Sequence, residues 1–295
     1  MYICTICHSS VIALHNAEEL NNPQDLHIRL ARCPNCDSVA DPYVEFDNVV
    51  LFLDLILIKP PAYRHIVYNV LLPQQFNFQL FRLFILMTLF EVYVSWAYQE
   101  KSYFEQSSHT SMIISLVLNS PIQYIYFLAT ILLQNLIICI SLTGLSINWL
   151  NLNHLPINSI NDLFIVLLST LLISNIIKLF PIVMLIWPYD LPILHVTRLL
   201  VSIVHLFLLV EAIHIVLSNP KNNNLSIDYY KIIAIVISSE ILRNILTKLI
   251  TGFTASLIWP VSMYDLINDD WEMFKFKLNT LYELVNYMLD DTVIN

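Results

Sequence analysis

The stretch Cys33-Pro34-Asn35-Cys36-Asp37-Ser38-Val39-Ala40-Asp41-Pro42-Tyr43, read with the upstream pair Cys4 and Cys7, decides how this chain begins. The pattern is C-x2-C, an interval from His8 to Arg32, then C-x2-C. Two such pairs, each on a tight turn, suit four thiolates converging on one tetrahedral zinc ion. The interval is long enough for a β-hairpin. Val11–His15 and Leu26–Leu30 read as its strands, with a polar loop from Glu18 to Asp25 between them. Residues 1–45 are therefore expected to form a small β-type zinc ribbon with Cys4, Cys7, Cys33 and Cys36 as ligands and structural Zn2+ as cofactor. A disulfide framework is the alternative, and the paired spacing favours metal. His8, beside Cys7, is a further candidate ligand, although four cysteines already suffice. Reduced thiols imply a reducing compartment.

Composition excludes a single soluble domain. The chain has 295 residues, 57% apolar and 13% charged, against about 25% charged in soluble proteins, and its mean hydropathy is +0.65. Its net charge of −9 argues against a nucleic-acid partner. The chain enters the first cysteine pair at once, so membrane insertion is expected to use internal segments rather than a signal peptide. The two glycines, Gly144 and Gly252, offer no G-x-x-x-G helix packing.

The expected architecture is an α-helical multispanning membrane protein with three to five transmembrane helices behind the ribbon. Residues 46–79 form an interfacial or re-entrant segment. Val49–Ile58 is apolar but too short to span, is interrupted by Asp54, and is stopped by Lys59-Pro60-Pro61. Ala62–Leu72 continues along the same surface as a helix. Residues 80–259 hold the candidate spans 80–98, 122–147, 163–187, 194–217 and 229–258, with aromatic belts at Trp96/Tyr98 and Trp187/Tyr189. Glu91 interrupts the first span and Lys178 the third. His195, Arg198, Ser202 and His205 share one helical face of the fourth, and Glu240, Arg243, Asn244, Thr247 and Lys248 share one of the fifth. Buried charges of this kind need partners or water. Residues 260–295 form an acidic tail in which Trp271, Phe274, Leu278 and Leu281 have amphipathic spacing. Arg29, Arg32, Lys59, Arg64 and Arg82 precede or open the first span, which places the N-terminus in the cytosol.

The ordered series Cys-Pro-Asn-Cys-Asp-Ser-Val-Ala-Asp-Pro-Tyr (33–43), Glu45, Asp47, Leu53-Asp54-Leu55-Ile56-Leu57, Lys59-Pro60, Ala62-Tyr63-Arg64-His65 and Tyr68-Asn69 resembles the Arv family of endoplasmic-reticulum membrane proteins of sterol homeostasis. The resemblance is close over residues 1–69 and holds in outline beyond them. It departs at Pro42 and Pro61, and no glycine follows Cys7. It implies a cytosolic zinc-binding homology region whose ligands map to the four cysteines. It also implies a multi-pass protein of the endoplasmic reticulum, with the Golgi as a second location. Its implied role is sterol movement out of that membrane, with effects on sphingolipid metabolism and on handling of glycosylphosphatidylinositol-anchor intermediates. Its implied partners are membrane lipids, sterol and anchor intermediates among them, and glycosylphosphatidylinositol-synthesis enzymes. No catalytic residue carries over, so the expectation is a protein that is not an enzyme. An adaptor subunit of an anchor-synthesis complex and a membrane-embedded lipid transferase, with His65, Asp54 or His205 as base, are the alternatives.

Two readings stand for Asp54, Tyr63, Arg64, His65, Tyr68 and Asn69. In one they dock the ribbon onto the helices, through ion pairs such as Asp54 or Asp47 with Arg64. In the other they bind a lipid headgroup, with Arg64 as a planar fork for phosphate.

Overall fold

The computed structural model describes residues 2–19, 26–72, 78–105, 120–150, 159–182, 191–218 and 225–258. The ribbon holds two short antiparallel hairpins. β1 (Tyr2–Ile3) pairs with β2 (Ser10–Val11), and β3 (His15–Glu19) with β4 (Leu26–Leu30) in the register His15 opposite Leu30. The expected first strand, Val11–His15, is thus replaced by two. The cause is the first cysteine turn. Cys4 N–H donates to Ser9 O, so Ser10–Val11 must return beside Tyr2–Ile3, and the longer strand starts only after Leu14. Glu18 lies in that strand rather than in a loop.

α1 (Asn48–Ile56) is the expected short apolar helix. It ends in a Schellman turn, with Ile58 N–H donating to Leu55 O and Lys59 N–H to Asp54 O. Ile58 holds the left-handed position at φ 56°, which glycine usually fills. Pro60 and Pro61 then open α2 (Pro60–Arg64), where their missing N–H groups cost nothing. α2 runs on as a π-helix over His65–Leu71.

Among the described residues five long helices follow: α3 (Phe78–Glu105), α4 (Ser120–Trp149), α5 (Ile160–Ser174), α6 (Leu191–Leu217) and α7 (Leu225–Ile258). Ser159 caps α5 through a bond from Asp162 N–H. Past Ser174 the α5 segment tightens into a 3-10 turn, Asn175–Leu179. Among the described residues, four stretches are long and apolar enough to cross a membrane: Leu80–Tyr98, Gln123–Trp149, Ile160–Ile182 and Val196–Leu217. The first coincides with the expected 80–98, and the other three overlap the expected 122–147, 163–187 and 194–217 with shifted ends. α7, with Lys231, Glu240, Arg243 and Lys248 along it, is helical but not one of the four. The end of the expected third span at 183–187, residues 188–190 of the expected connection 188–193, and the amphipathic tail at 260–295 lie outside the described residues, and residues 191–193 of that connection already belong to α6. Within the spans, hydroxyls such as Thr143, Ser169, Thr170 and Ser174 donate to backbone carbonyls of their own helix one turn back, which satisfies them without water.

The chain divides into two compact units. The first contains Met1–Phe84, Ile138–Ser174 and Leu206–Glu240, so the ribbon shares a unit with the C-terminal ends of α4 and α6, the whole of α5 and the N-terminal half of α7. The second contains Ile85–Ile137, Asn175–His205 and Ile241–Asn295. In it, Val92 of α3 packs with Phe127 and Ile131 of α4, beside Trp96 and Leu128. Trp96 stacks on Tyr124 at 5.2 Å, and Arg198 lies over the Tyr98 ring at 5.2 Å. The side chain of His195 lies outside the described residues.

Candidate functional site

Two turns of the same build bring four sulfurs together. Each reads C-x2-C-x-S: Cys4 to Ser9 and Cys33 to Ser38. In each, the N–H of the first cysteine donates to the serine carbonyl, at 2.9 Å and 2.8 Å. The residue after the second cysteine donates back to the carbonyl of the first, at 3.0 Å and 2.9 Å. That residue, His8 or Asp37, sits at positive φ, 61° and 56°. Both therefore take the conformation that a glycine after Cys7 would otherwise have supplied.

All four thiols are free, and their sulfurs lie within 4.8 Å of one another. Cys4 to Cys36 is 3.7 Å and Cys7 to Cys33 is 3.5 Å. A tetrahedral site with sulfur ligands has an edge of about 3.8 Å, whereas bonded sulfurs would stand about 2.05 Å apart. The donor set therefore fits one tetrahedral, thiophilic metal ion and not a disulfide framework. Hydroxyls support the sulfurs: Ser9 Oγ lies 2.9 Å from Cys7 Sγ and 3.0 Å from Cys33 Sγ, and Ser38 Oγ 2.7 Å from Cys36 Sγ. Burial pushes the Cys4 thiol up to about 12. Burial also acts on Cys33, but the Ser9 hydroxyl and the N–H groups of Asn35 and Cys36 outweigh it and bring that thiol down to about 6. A divalent ion at the centre favours the thiolate at every position. His8 lies outside the sulfur cluster; its ring packs edge-on against Tyr68 at 5.4 Å.

The remaining sequence-predicted residues form a clamp beneath the ribbon, all within the first unit. Arg64 is buried, and its partners are backbone carbonyls rather than acids. Nη1 donates to Thr5 O at 3.0 Å and Ile6 O at 3.2 Å, and Nε to Ile215 O at 3.3 Å. Tyr68 OH donates to Val216 O at 2.9 Å. One guanidinium thus joins the first cysteine turn to the last turn of α6, where a cation also meets the negative end of the helix dipole. Burial lowers the Arg64 pKa, and the nearby Tyr68, Cys4 and Cys7 act in the opposite sense. Asn69 behaves like a strand neighbour of Ile3: its Oδ1 accepts from Ile3 N–H at 2.9 Å and its Nδ2 donates to Ile3 O at 3.0 Å.

Asp41, fully buried, is the hub that the sequence analysis did not single out. Its Oδ2 lies 2.6 Å from both His65 Nδ1 and Asn69 Nδ2, and its Oδ1 accepts from Tyr43 N–H at 3.1 Å. The expected ion pair of Asp54 or Asp47 with Arg64 does not form. Asp54 instead accepts from Tyr43 OH at 2.8 Å and pairs with Lys59 at 2.6 Å, because the Schellman turn folds Lys59 back over it. These two donors, Lys59 before Tyr43, hold the Asp54 carboxyl below its ordinary value. Burial, then the Asp54 bond, pushes the Tyr43 phenol up to about 12. Tyr63 OH donates to Leu55 O at 3.3 Å and ties α2 to α1. Glu45 and Asp47 are exposed. The only sequence signals for Asp41, Ser9 and Ser38 were the acid inside V-A-D-x-Y and the doubled C-x2-C-x-S.

A model of the Arv1-like family matches residues 3–213. The chain belongs to the Arv1-like family. Among curated relatives of this family member, Protein ARV1 of Candida albicans is 31% identical over 278 residues, covering 83% of this chain and 87% of its own length. Protein ARV1 of Saccharomyces cerevisiae is 30% identical over 337 residues, covering 94% and 98%. Protein ARV 1 of Arabidopsis thaliana is 47% identical over only 53 residues, 18% of this chain and 22% of its own. No solved structure matches the chain.

Proposed function

We propose that this Arv1-like protein handles membrane lipid without catalysis. It mediates sterol distribution from the endoplasmic reticulum membrane, and through it affects sphingolipid metabolism and the handling of glycosylphosphatidylinositol intermediates. The observation that carries this reading is the clamp. Arg64 and Tyr68 fix the ribbon to the end of a membrane-spanning helix, and beside them α1 turns an apolar face outward. Val49, Phe52, Leu53, Ile56 and Leu57 are exposed at helical spacing, while Asp54 and Leu55 face inward. Such a face suits the boundary between headgroups and acyl chains.

Zn2+ is the ion we assign to Cys4, Cys7, Cys33 and Cys36. Four thiolates around it leave no open position, so its contribution is folding energy rather than chemistry. His65, Asp54 and Arg64, the residues best suited to acid, base or phosphate work, are each engaged in docking bonds, which favours a platform over a transferase. The Lys/Arg bias ahead of the first span and the reduced thiols support a cytosolic N-terminus, and the family resemblance supports the endoplasmic reticulum, with the Golgi secondary.

The test uses zinc-loaded, detergent-purified full chain with photoactivatable sterol and glucosaminyl-phosphatidylinositol probes. Saturable labelling by at least one probe, without turnover of the lipid, is the expected result. No saturable labelling by either would overturn direct lipid handling in favour of an adaptor for anchor-synthesis enzymes. Turnover of the lipid by the purified chain would overturn the non-enzymatic reading.

A further inference from the structure

The second unit holds polar chemistry inside its spans that the metal centre does not use. It gathers at the 3-10 turn Asn175–Leu179, within the third span. Residues i and i+3 of a 3-10 turn eclipse each other, so Asn175 and Lys178 stand directly in line on one face. Two helices of the same unit meet that turn. Glu91 of α3 receives a bond from Lys178 Nζ at 3.0 Å. His205 of α6 places Nε2 2.8 Å from Asn175 Oδ1.

Asn175 is 3% exposed, and its Nδ2 has no partner among the described residues. Turning the amide over would only leave the oxygen unpaired instead, because His205 Nε2 supplies a single contact. An unpaired buried polar group costs about 1–3 kcal/mol, and the hydrocarbon interior has no water to satisfy it. Irregular backbone at membrane depth occurs where it is packed in protein or lines a polar cavity, and broken helices commonly mark binding sites there.

The surroundings select the ligand. Glu91 neutralises Lys178, so the pair offers no spare cation for a phosphate. The Arg243 guanidinium of α7 bonds Asn244. At the turn itself one hydrogen bond remains unmet among the described residues, of donor or acceptor sense according to how the amide lies. A hydroxyl is both donor and acceptor and satisfies either. We propose that Asn175, backed by His205 and the Lys178–Glu91 pair, is an intramembrane docking point for the hydroxyl of a neutral, single-hydroxyl lipid. This rests on the lipid-handling reading and gives it a site away from the ribbon.

The test uses zinc-loaded full chain with two diazirine probes, a sterol and a diacylglycerol, each alongside a counterpart lacking its hydroxyl. At least one hydroxyl-bearing probe is expected to label saturably, about tenfold above its counterpart, on peptides spanning residues 171–182 or 200–210. Which probe does so names the source of the hydroxyl. Asn175→Leu should lower that labelling about tenfold while zinc content holds, with a melting temperature that reports the loss of the His205 bond separately. If Asn175→Leu proves unstable, the peptide map and the counterpart comparison on wild type still decide. Equal labelling by the counterpart lipids, or saturable labelling mapped elsewhere, overturns this site and leaves lipid handling standing. No saturable labelling anywhere overturns both.

Discussion

Replacing Asp41 by alanine removes the hub of the clamp. Its carboxylate accepts from Tyr43 N–H, His65 and Asn69, and all three donors would be left inside the protein without it. Hydrogen bonds to a charged group contribute roughly 1.5–3 kcal/mol each. Counting two of the three at the low end, the docked ribbon loses about 3 kcal/mol. Metal binding and folding of such a ribbon are one equilibrium, and 1.4 kcal/mol is a factor of ten. Asp41→Ala should therefore weaken apparent zinc affinity by about 100-fold, although Asp41 touches no sulfur. Asp41→Asn keeps an oxygen for one donor and should lose about tenfold. The assay is competition with a chromophoric chelator of known affinity on purified full chain. Zinc affinity in Asp41→Ala within threefold of wild type would refute the coupling between clamp and metal centre.

Ile58→Gly should stabilise the protein, by about 1 kcal/mol, because a β-branched residue now holds the left-handed position of the turn after α1; thermal unfolding in detergent measures it, and an unchanged or lower melting temperature contradicts it. Asp54 carries a depressed pKa, so its contribution is full above its unfolded value of about 3.9 and fades as pH falls through the lower folded value. Asp54→Asn should accordingly be less stable than wild type at neutral pH, and the difference should close below about pH 3.9; a gap that stays constant through that range would refute the Lys59 and Tyr43 pairing. Ser9→Ala removes the hydroxyl shared by Cys7 and Cys33, so a chelator should strip zinc several-fold faster from it than from wild type. Equal stripping rates would mean the hydroxyl does not support the sulfurs.

The convergence of the four cysteines was legible because metal chemistry constrains both residue type and spacing. The A-Y-R-H-x-x-Y-N segment was legible as a unit, but its role was not. Arg64 and Tyr68 reach the carbonyls of Ile215 and Val216, about 150 residues away, and a carbonyl is offered by every residue, so no side chain marks the partner. Matching acid to base pointed Asp54 at Arg64, whereas the Schellman turn supplies Lys59 from five positions on. Glu91 and Lys178 each stood out as a charge within an apolar run. Their pairing needed the packed helices, and the 3-10 turn that aligns Lys178 with Asn175 has no glycine or proline at its start to announce it. The strand shift near Val11 shows local hydrogen bonding of the cysteine turn overriding an apolar pattern that suited a longer strand.

The central claim is that Arg64 and Tyr68 join the ribbon to the end of α6 instead of receiving a lipid headgroup. Amide hydrogen exchange on zinc-loaded full chain tests it most directly, comparing wild type with Arg64→Ala and Tyr68→Phe. Faster exchange in both variants, at the Cys4–His8 turn and again around residues 212–218, is the expected result. Unchanged exchange at both places, together with loss of saturable lipid labelling in Arg64→Ala, would contradict the clamp and return Arg64 to the headgroup.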